Sequence, residues 1–405
     1  MAAARRPAGL AFCSELAPLL ALVDPRSIAI EPLAELFAYG WYLGSEVWVE
    51  GVHALLDSDL IIEGDRSFER PRATRSLPPP SSIGLRDAVR SSVRRCVAGT
   101  GPFGLALSGG LDSTILAFEL DALGVEDLVT VSIRLPDSAD GVDSLDALGL
   151  PPGGAWTTWR HHVVEVPDCD LFATFERATR AFGQPTTMSS LPLTWRLAEV
   201  AAAAGVRVML TGEGVDELFL GYGSYSKVPG LARLADYYHH PSREALVEGL
   251  FEAPVLRAVR ARMDRICAHA TDLREVERRL RLRRLLLRTD VCFMAHTMEV
   301  RVPFLHNRIP EIAMATPWSE LLRDGGKATL RRAWCEQIGG RVGGGGRRHR
   351  GGAVGARDRR ASVVATPRAQ RQATPPDDRS RRLNNGRVTR GARAKASISL
   401  AIPRD

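Results

Sequence analysis

Six consecutive residues, Ser108, Gly109, Gly110, Leu111, Asp112 and Ser113, have the types and spacing needed to hold a phosphorylated substrate. Glycines let the backbone come close to an anion, and the free N–H groups and dipole of a following helical turn attract it. Ser108 and Ser113 add hydroxyl donors. Asp112 is the odd member, because a bare carboxylate repels phosphate; it makes sense where a divalent cation bridges the two. A second acidic turn, Thr211-Gly212-Glu213-Gly214-Val215-Asp216-Glu217, places three carboxylates within five positions. Alone it reads as a solvated loop or a helix cap; together with the first turn it reads as the other half of a site. Further on, Glu299 and Arg301 alternate with Val300 and Val302 before Pro303. Buried, that pair of charges would belong to a site; exposed, it is a salt bridge. Lys327 follows Gly325 and Gly326 and stands just before a helical stretch, where a lysine can reach an anion.

The elements that must position these residues are legible around them. Phe103, Leu105 and Leu107 alternate as in a strand, and Ile115, Leu116, Leu120 and Leu123 recur at helical spacing. The glycine turn therefore joins a strand to a helix. It is not a Walker A loop, since no GxxxxGK[ST] occurs in the chain. Segments Leu128–Ile133, His161–Val166 and Val206–Leu210 read as further strands, and Leu85–Val97 and Leu191–Ala204 as helices. Strands alternating with helices predict an α/β fold, a mainly parallel sheet with helices on both faces. Ligands in such sheets sit beyond the carboxyl ends of the strands. The strand ending at Leu210 runs straight into Thr211, so both turns are expected at one edge. Residues 136–158, rich in Gly, Pro, Asp and Ser, predict an irregular connection. Residues 230–290 predict Arg-rich helices with a solvated basic face.

Composition limits the rest. A chain of 405 residues, 45% apolar and 25% charged, is a globular protein long enough for two domains. No apolar run approaches the roughly 20 residues of a membrane span, and the N-terminus lacks the apolar core of a signal peptide. Six scattered cysteines with no CxxC pair read as free thiols, which with the missing signal peptide points to the cytoplasm. The net charge is +7, but residues 341–405 hold 16 Arg and 1 Lys against 4 Asp, a net of +13. The remainder therefore carries −6, which argues against nucleic acid as a partner of the globular part. The tail has no aromatic, no Glu and no apolar periodicity, so disorder is expected from about residue 339. A shifted reading frame in a GC-rich gene would produce that composition. Residues 71–83, rich in Pro, Ser and Arg, read as a linker.

In chain order, SGGLDS, TGEGVDELFLGY, MEVRVPFL and GGKATLRRAW resemble the synthetase domain of glutamine-dependent asparagine synthetases. SGGLDS is also similar to the pyrophosphate loop of ATP pyrophosphatases, which split ATP between its α and β phosphates. The resemblance runs from about Gly9 to about Ile338, and LAFCSELAPLL resembles the end of that family's glutaminase domain. It implies residues 1–70 as a β-rich remnant of an amidotransferase-like domain and 84–338 as the ATP pyrophosphatase-like domain. It implies ATP as substrate with Mg²⁺: Ser108, Gly109, Gly110, Asp112 and Ser113 on the phosphates, and Asp112 and Asp216 on the metal. Leu107, Ile133, Thr211 and Gly212 would line the adenosine pocket, largely through backbone. Glu213 would be the base acting on the incoming amine, crowded by Asp216 and Glu217. Lys327 would stabilise the departing pyrophosphate, and Glu299 stands where a cyclising branch keeps a catalytic glutamate.

The implied reaction adenylates a carboxylate, aspartate by default, and forms an amide with ammonia or another amine. Relatives that close β-lactam rings carry Tyr at the position of Glu213, which favours asparagine synthesis; a lasso-peptide cyclase and an inactive ATP-binding remnant stay open. Partners left open are a second copy of the chain, a separate amidotransferase and a precursor peptide. Three departures stand out. Met1 is followed by Ala2, so no glutaminase nucleophile carries over; Leu220 stands where the family usually has Gly; and Gly141–Trp159 does not match the usual helix.

Overall fold

The computed structural model of the protein describes residues 2–6, 9–23, 27–54, 58–63, 66–71, 84–99, 101–134, 145–165, 168–306 and 308–338. The expected linker from residue 72, part of the irregular connection, and the basic tail lie outside the described residues. Strands β1 (Ala2–Arg6), β2 (Gly9–Cys13) and β3 (Val52–Ala54) form an antiparallel sheet in the order β2-β1-β3. A hairpin of β4 (Ser58–Glu63) and β5 (Arg66–Pro71) follows. The main sheet comprises β6 (Phe103–Ala106), β7 (Val129–Arg134), β8 (Arg160–Glu165), β9 (Val208–Leu210) and β10 (Glu299–Arg301). All five run parallel, in the order β10-β9-β6-β7-β8.

The sheet is covered on both faces, as a parallel sheet must be. Val129, Thr130, Val131 and Ser132 are all buried along β7. Consecutive residues of β9 fall into different cores. Leu210 packs with Leu105, Leu107, Ile115 and Val93, while Met209 packs with Val131, Ala198, Phe293 and Met298. The helix Leu111–Ala122 is enclosed on nearly every side, from Leu111 to Asp121. The four strands expected from sequence are present, each within a residue or two of its expected bounds. Strand β10 was not expected: three residues are too short for a periodicity signal, and pairing with β9 holds them extended. Residues 30–43 do not stand apart from this sheet, because Ala34, Tyr39, Trp41 and Leu43 share the first core with Leu105 and Leu210. The β1–β3 sheet has its own small core of Ala2, Ala4, Leu19, Val47, Val49 and Val52.

The arginine-rich helices are not simply solvated on their basic face. Arg274 is 2% exposed and Arg288 8%. Arg274, on the helix Leu273–Glu277, pairs with Asp272 at 2.5 Å and donates to the carbonyls of Ala313, Met314 and Thr316, which closes the end of another helix. Burial alone would raise the Asp272 carboxyl, but the hydrogen bonds from Arg274 outweigh it and hold it below the usual range. Arg274→Met should therefore destabilise the fold by about 3 kcal/mol, since it strands a half-buried carboxylate and three carbonyls. The Asp272 contribution is present above the ordinary carboxylate pKa and is lost as pH falls through the depressed one. Denaturant titrations at neutral and acid pH check both points: the wild type should lose stability at the acid end, and the variant should lack that loss.

Candidate active site

The order of the main sheet creates a switch point. From β6 the chain moves outward to β7 and β8, then returns to the other side of β6 for β9 and β10. A crevice opens where the order reverses, beyond the carboxyl ends of β6 and β9. The two polar turns meet there. Gly109 adopts φ +74, which lets the chain double back before the helix Leu111–Ala122. Ser113 Oγ accepts from the Ser108 N–H at 3.2 Å and donates to the Gly110 carbonyl at 3.2 Å, which fixes the loop. The first-turn N–H groups of the helix are left to a ligand.

Across this crevice Lys327 joins the two turns. Its Nζ lies 2.6 Å from Asp112 Oδ2 and 2.7 Å from Asp216 Oδ1. The lysine backbone has φ +57 and donates its N–H to the Phe219 carbonyl at 3.1 Å. Burial works against the ammonium, but the two carboxylates outweigh it and hold Lys327 above the ordinary lysine range. Burial likewise pushes Asp112 up to about 6; Lys327 opposes this and Asp216 adds to it. One ammonium for two carboxylates leaves a surplus negative charge. Asp112 Oδ1 is also buried without a hydrogen-bond partner. An orphaned carboxylate oxygen beside a second carboxylate fits Mg²⁺, which takes one or two protein carboxylates plus phosphate oxygens and water. Among the described residues no cluster of three His, Cys, Asp or Glu forms a self-sufficient metal site.

Beside this cluster lies a cavity of about 280 Å³, lined by Ala106, Ser108, Ile133, Thr211, Glu213 and Arg288 among others. Arg288, from the helix Arg283–Met294, donates to Glu213 Oε1 and, at 2.6 Å, to Ser190 Oγ. The Thr289 hydroxyl stands 3.3 Å from the same Glu213 oxygen. Glu213 is thus clamped rather than crowded. Crowding falls on Glu217 instead: burial pushes it up to about 8, against the Tyr222 hydroxyl that donates to it at 2.7 Å, while Asp216 and Glu213 add to the rise.

Most of the residues singled out in sequence meet here: Ser108, Asp112, Ser113, Ile133, Thr211, Gly212, Glu213 and Asp216 line the cavity, and Lys327 bridges its carboxylates. Gly109 and Gly110 form the turn itself. Leu107 is a correction. It is buried, its N–H donates to the Val131 carbonyl, and its own carbonyl accepts from Ser132 Oγ at 2.5 Å, so its backbone serves the sheet. Its neighbour Ala106 lines the cavity, because side chains alternate faces along a strand. Glu299 is also corrected. It begins β10, opposite the first residue of β9 and so at the far end from the crevice, exposed and paired with Arg301 at 2.9 Å. Sequence reasoning missed Arg288, Thr289, Ser190 and Tyr222. No local signal singled out Arg288, because Arg278, Arg279, Arg281, Arg283 and Arg284 precede it on several faces of the same stretch. Leu220 adopts φ +54, a backbone conformation that favours glycine.

A model of the asparagine synthase family matches residues 84–338. A probable glutamine-hydrolysing asparagine synthetase of Schizosaccharomyces pombe is 26% identical over 246 residues, covering 57% of this chain and 37% of the relative. Asparagine synthetase B of Escherichia coli is 25% identical over 246 residues, with the same two coverages. A putative asparagine synthetase of Methanocaldococcus jannaschii is 24% identical over 263 residues, covering 64% and 40%. The match thus spans well under half the length of these relatives. A solved structure, the U34-tRNA thiolase NcsA from Methanococcus maripaludis, aligns at TM-score 0.22 and 14% identity, covering 50% of this chain and 77% of that one.

Proposed function

The chain belongs to the asparagine synthase family, and from that premise we propose that it adenylates a carboxylate, aspartate by default, and converts the acyl-adenylate into an amide. The observation that carries this reading is the Lys327 ammonium set between Asp112 and Asp216 at the switch point of the sheet. A carboxylate is a poor acyl donor; attack of its oxygen on the α-phosphorus of ATP releases pyrophosphate and leaves AMP as a good leaving group. The SGGLDS loop and the first turn of its helix hold the phosphates in line. Lys327 donates to the charge that builds on the departing pyrophosphate, a preorganised donor of the kind that dominates such catalysis. Asp112 and Asp216 would hold Mg²⁺, which neutralises phosphate charge. Ammonia then attacks the acyl carbon, AMP leaves, and Glu213, positioned by Arg288 and Thr289, takes the proton from nitrogen.

Isotope exchange tests the proposal. The purified protein with ATP, Mg²⁺ and aspartate should move radiolabelled pyrophosphate into ATP, and should not do so without a carboxylate. Exchange that is absent with aspartate, glutamate and acidic peptides alike would overturn the adenylation reading.

A further inference from the structure

The ammonium of Lys327 sits where a cation is wanted. Its Nζ lies 2.6 Å from Asp112 Oδ2 and 2.7 Å from Asp216 Oδ1, so the two oxygens face a single point between the two turns. A lysine ammonium is a compact point charge, closer in shape to a small metal ion than the planar fork of an arginine. Its backbone leaves it little choice of place. Lys327 has φ +57 and donates its N–H to the Phe219 carbonyl at 3.1 Å. Its stem passes so close over Gly221 that a Cβ there would fall on Lys327 Cε. Arg331, one turn along the helix Ala328–Ala333, brings a second positive charge toward Asp112, while its Nε donates to the Gly326 carbonyl at 3.2 Å. The two carboxylates that hold the ammonium are the same two that are assigned to Mg²⁺.

Two cations at one pair of carboxylates repel each other, and in a mostly buried site water screens that repulsion weakly. With Lys327 in place, one of the two carboxylate charges is already cancelled. A divalent cation then lacks the charge and the ligands that offset its dehydration, which Mg²⁺ undergoes reluctantly. Phosphate oxygens supply both. We propose that Lys327 makes metal binding conditional on the nucleotide: it competes with a divalent cation for Asp112 and Asp216, so the pair takes the metal only together with the phosphates of ATP. Those phosphates also give the ammonium another partner, in the place from which it meets the departing pyrophosphate. Lys327 is thereby a gate on metal loading as well as a donor in catalysis. The inference rests on the ligase reading, which supplies the phosphates.

Mn²⁺ added to the full chain without nucleotide, and followed by the electron paramagnetic resonance signal of the free ion, tests the gate. Lys327→Met should bind Mn²⁺ about tenfold or more tighter than the wild type, because the carboxylate pair regains its full charge. Adding Asp216→Asn to Lys327→Met should cancel the gain, and Lys327→Arg, which keeps the charge, should show none. Mn²⁺ should also raise the thermal midpoint of Lys327→Met and not that of the wild type, a response that lost packing alone does not produce. The wild type gives a second measurement where the variant does not fold. The chain has three lysines, Lys227, Lys327 and Lys395, and Lys227 is exposed. Labelling with acetic anhydride, read by mass spectrometry, should find Lys327 protected relative to Lys227, and Mn²⁺ alone should leave it so. Equal Mn²⁺ affinity in the wild type and Lys327→Met, or Mn²⁺ alone opening Lys327 to the anhydride, would overturn the gate. These measurements use no ATP, so the gate can fail while exchange of pyrophosphate proceeds. Exchange that is absent while the gain in Mn²⁺ affinity appears counts against the ligase reading and not against the competition at the carboxylates.

Discussion

Lys327→Met should lower aspartate-dependent exchange of pyrophosphate into ATP by about 10²-fold or more, the usual cost of removing one preorganised donor from a developing charge. The same change should weaken the fold. Its side chain is 11% exposed and faces Asp112 and Asp216, whose side chains are 17% and 29% exposed. Removing one partner of a buried pair typically costs about 3–5 kcal/mol, and the partial exposure of Asp216 puts this site at the low end. Activity and stability are separable by a second change. Lys327→Met combined with Asp112→Asn removes the more buried of the two stranded charges and leaves only the more exposed Asp216, so it should regain part of the stability and none of the exchange. Exchange within tenfold of the wild type in the single variant would remove Lys327 from the chemistry. An equally unstable double variant would show that the ammonium supports the fold in some other way.

Gly221→Ala should abolish exchange to a similar degree by a different route. A Cβ built on Gly221 falls inside the van der Waals envelope of Asp216 Oδ1 and Lys327 Cε. The backbone has little room to yield, because the Gly221 N–H donates to the Asp216 carbonyl at 3.0 Å and Leu220 before it already holds φ +54. The two side chains must therefore move, and a displacement near 1 Å at reacting groups costs about 10²-fold. The displaced pair is largely buried, so the thermal midpoint should fall, though by less than in Lys327→Met, while the far-ultraviolet circular dichroism should change little. Near-normal exchange in Gly221→Ala would mean that the Lys327–Asp216 contact is not needed in catalysis. Loss of the fold itself would mean that the glycine is required for packing around Leu220.

Local signals carried far in this chain. Leu105 and Leu107, followed by two glycines and then Ile115 and Leu116, specify strand, turn and helix through interactions within about a dozen residues, and the fold has those elements. The same holds for the strand that ends at Leu210 and enters Thr211. Local pattern said much less about arginine. A helix that reads REVERRLRLRRLLLR has charge on several faces, and nothing within it tells which face meets solvent. Packing against Gly40, Trp41 and Ser190, from distant parts of the chain, decides that.

By itself, then, the sequence determined a parallel α/β sheet with two acidic, glycine-bearing turns at one edge, and with Ser108, Asp112, Glu213 and Asp216 as the groups able to act there. These follow from period-two and period-3.6 patterns and from turn chemistry, which are short-range. Only the tertiary structure decided that Lys327 closes between Asp112 and Asp216, that Arg288 clamps Glu213, that Glu299 stands at the opposite end of its strand, and that Ala106 rather than Leu107 faces the cavity. Each depends on which strand lies beside which, and on which face of an element is covered. Those are set by burial across separations of up to 215 residues, where no local period carries information.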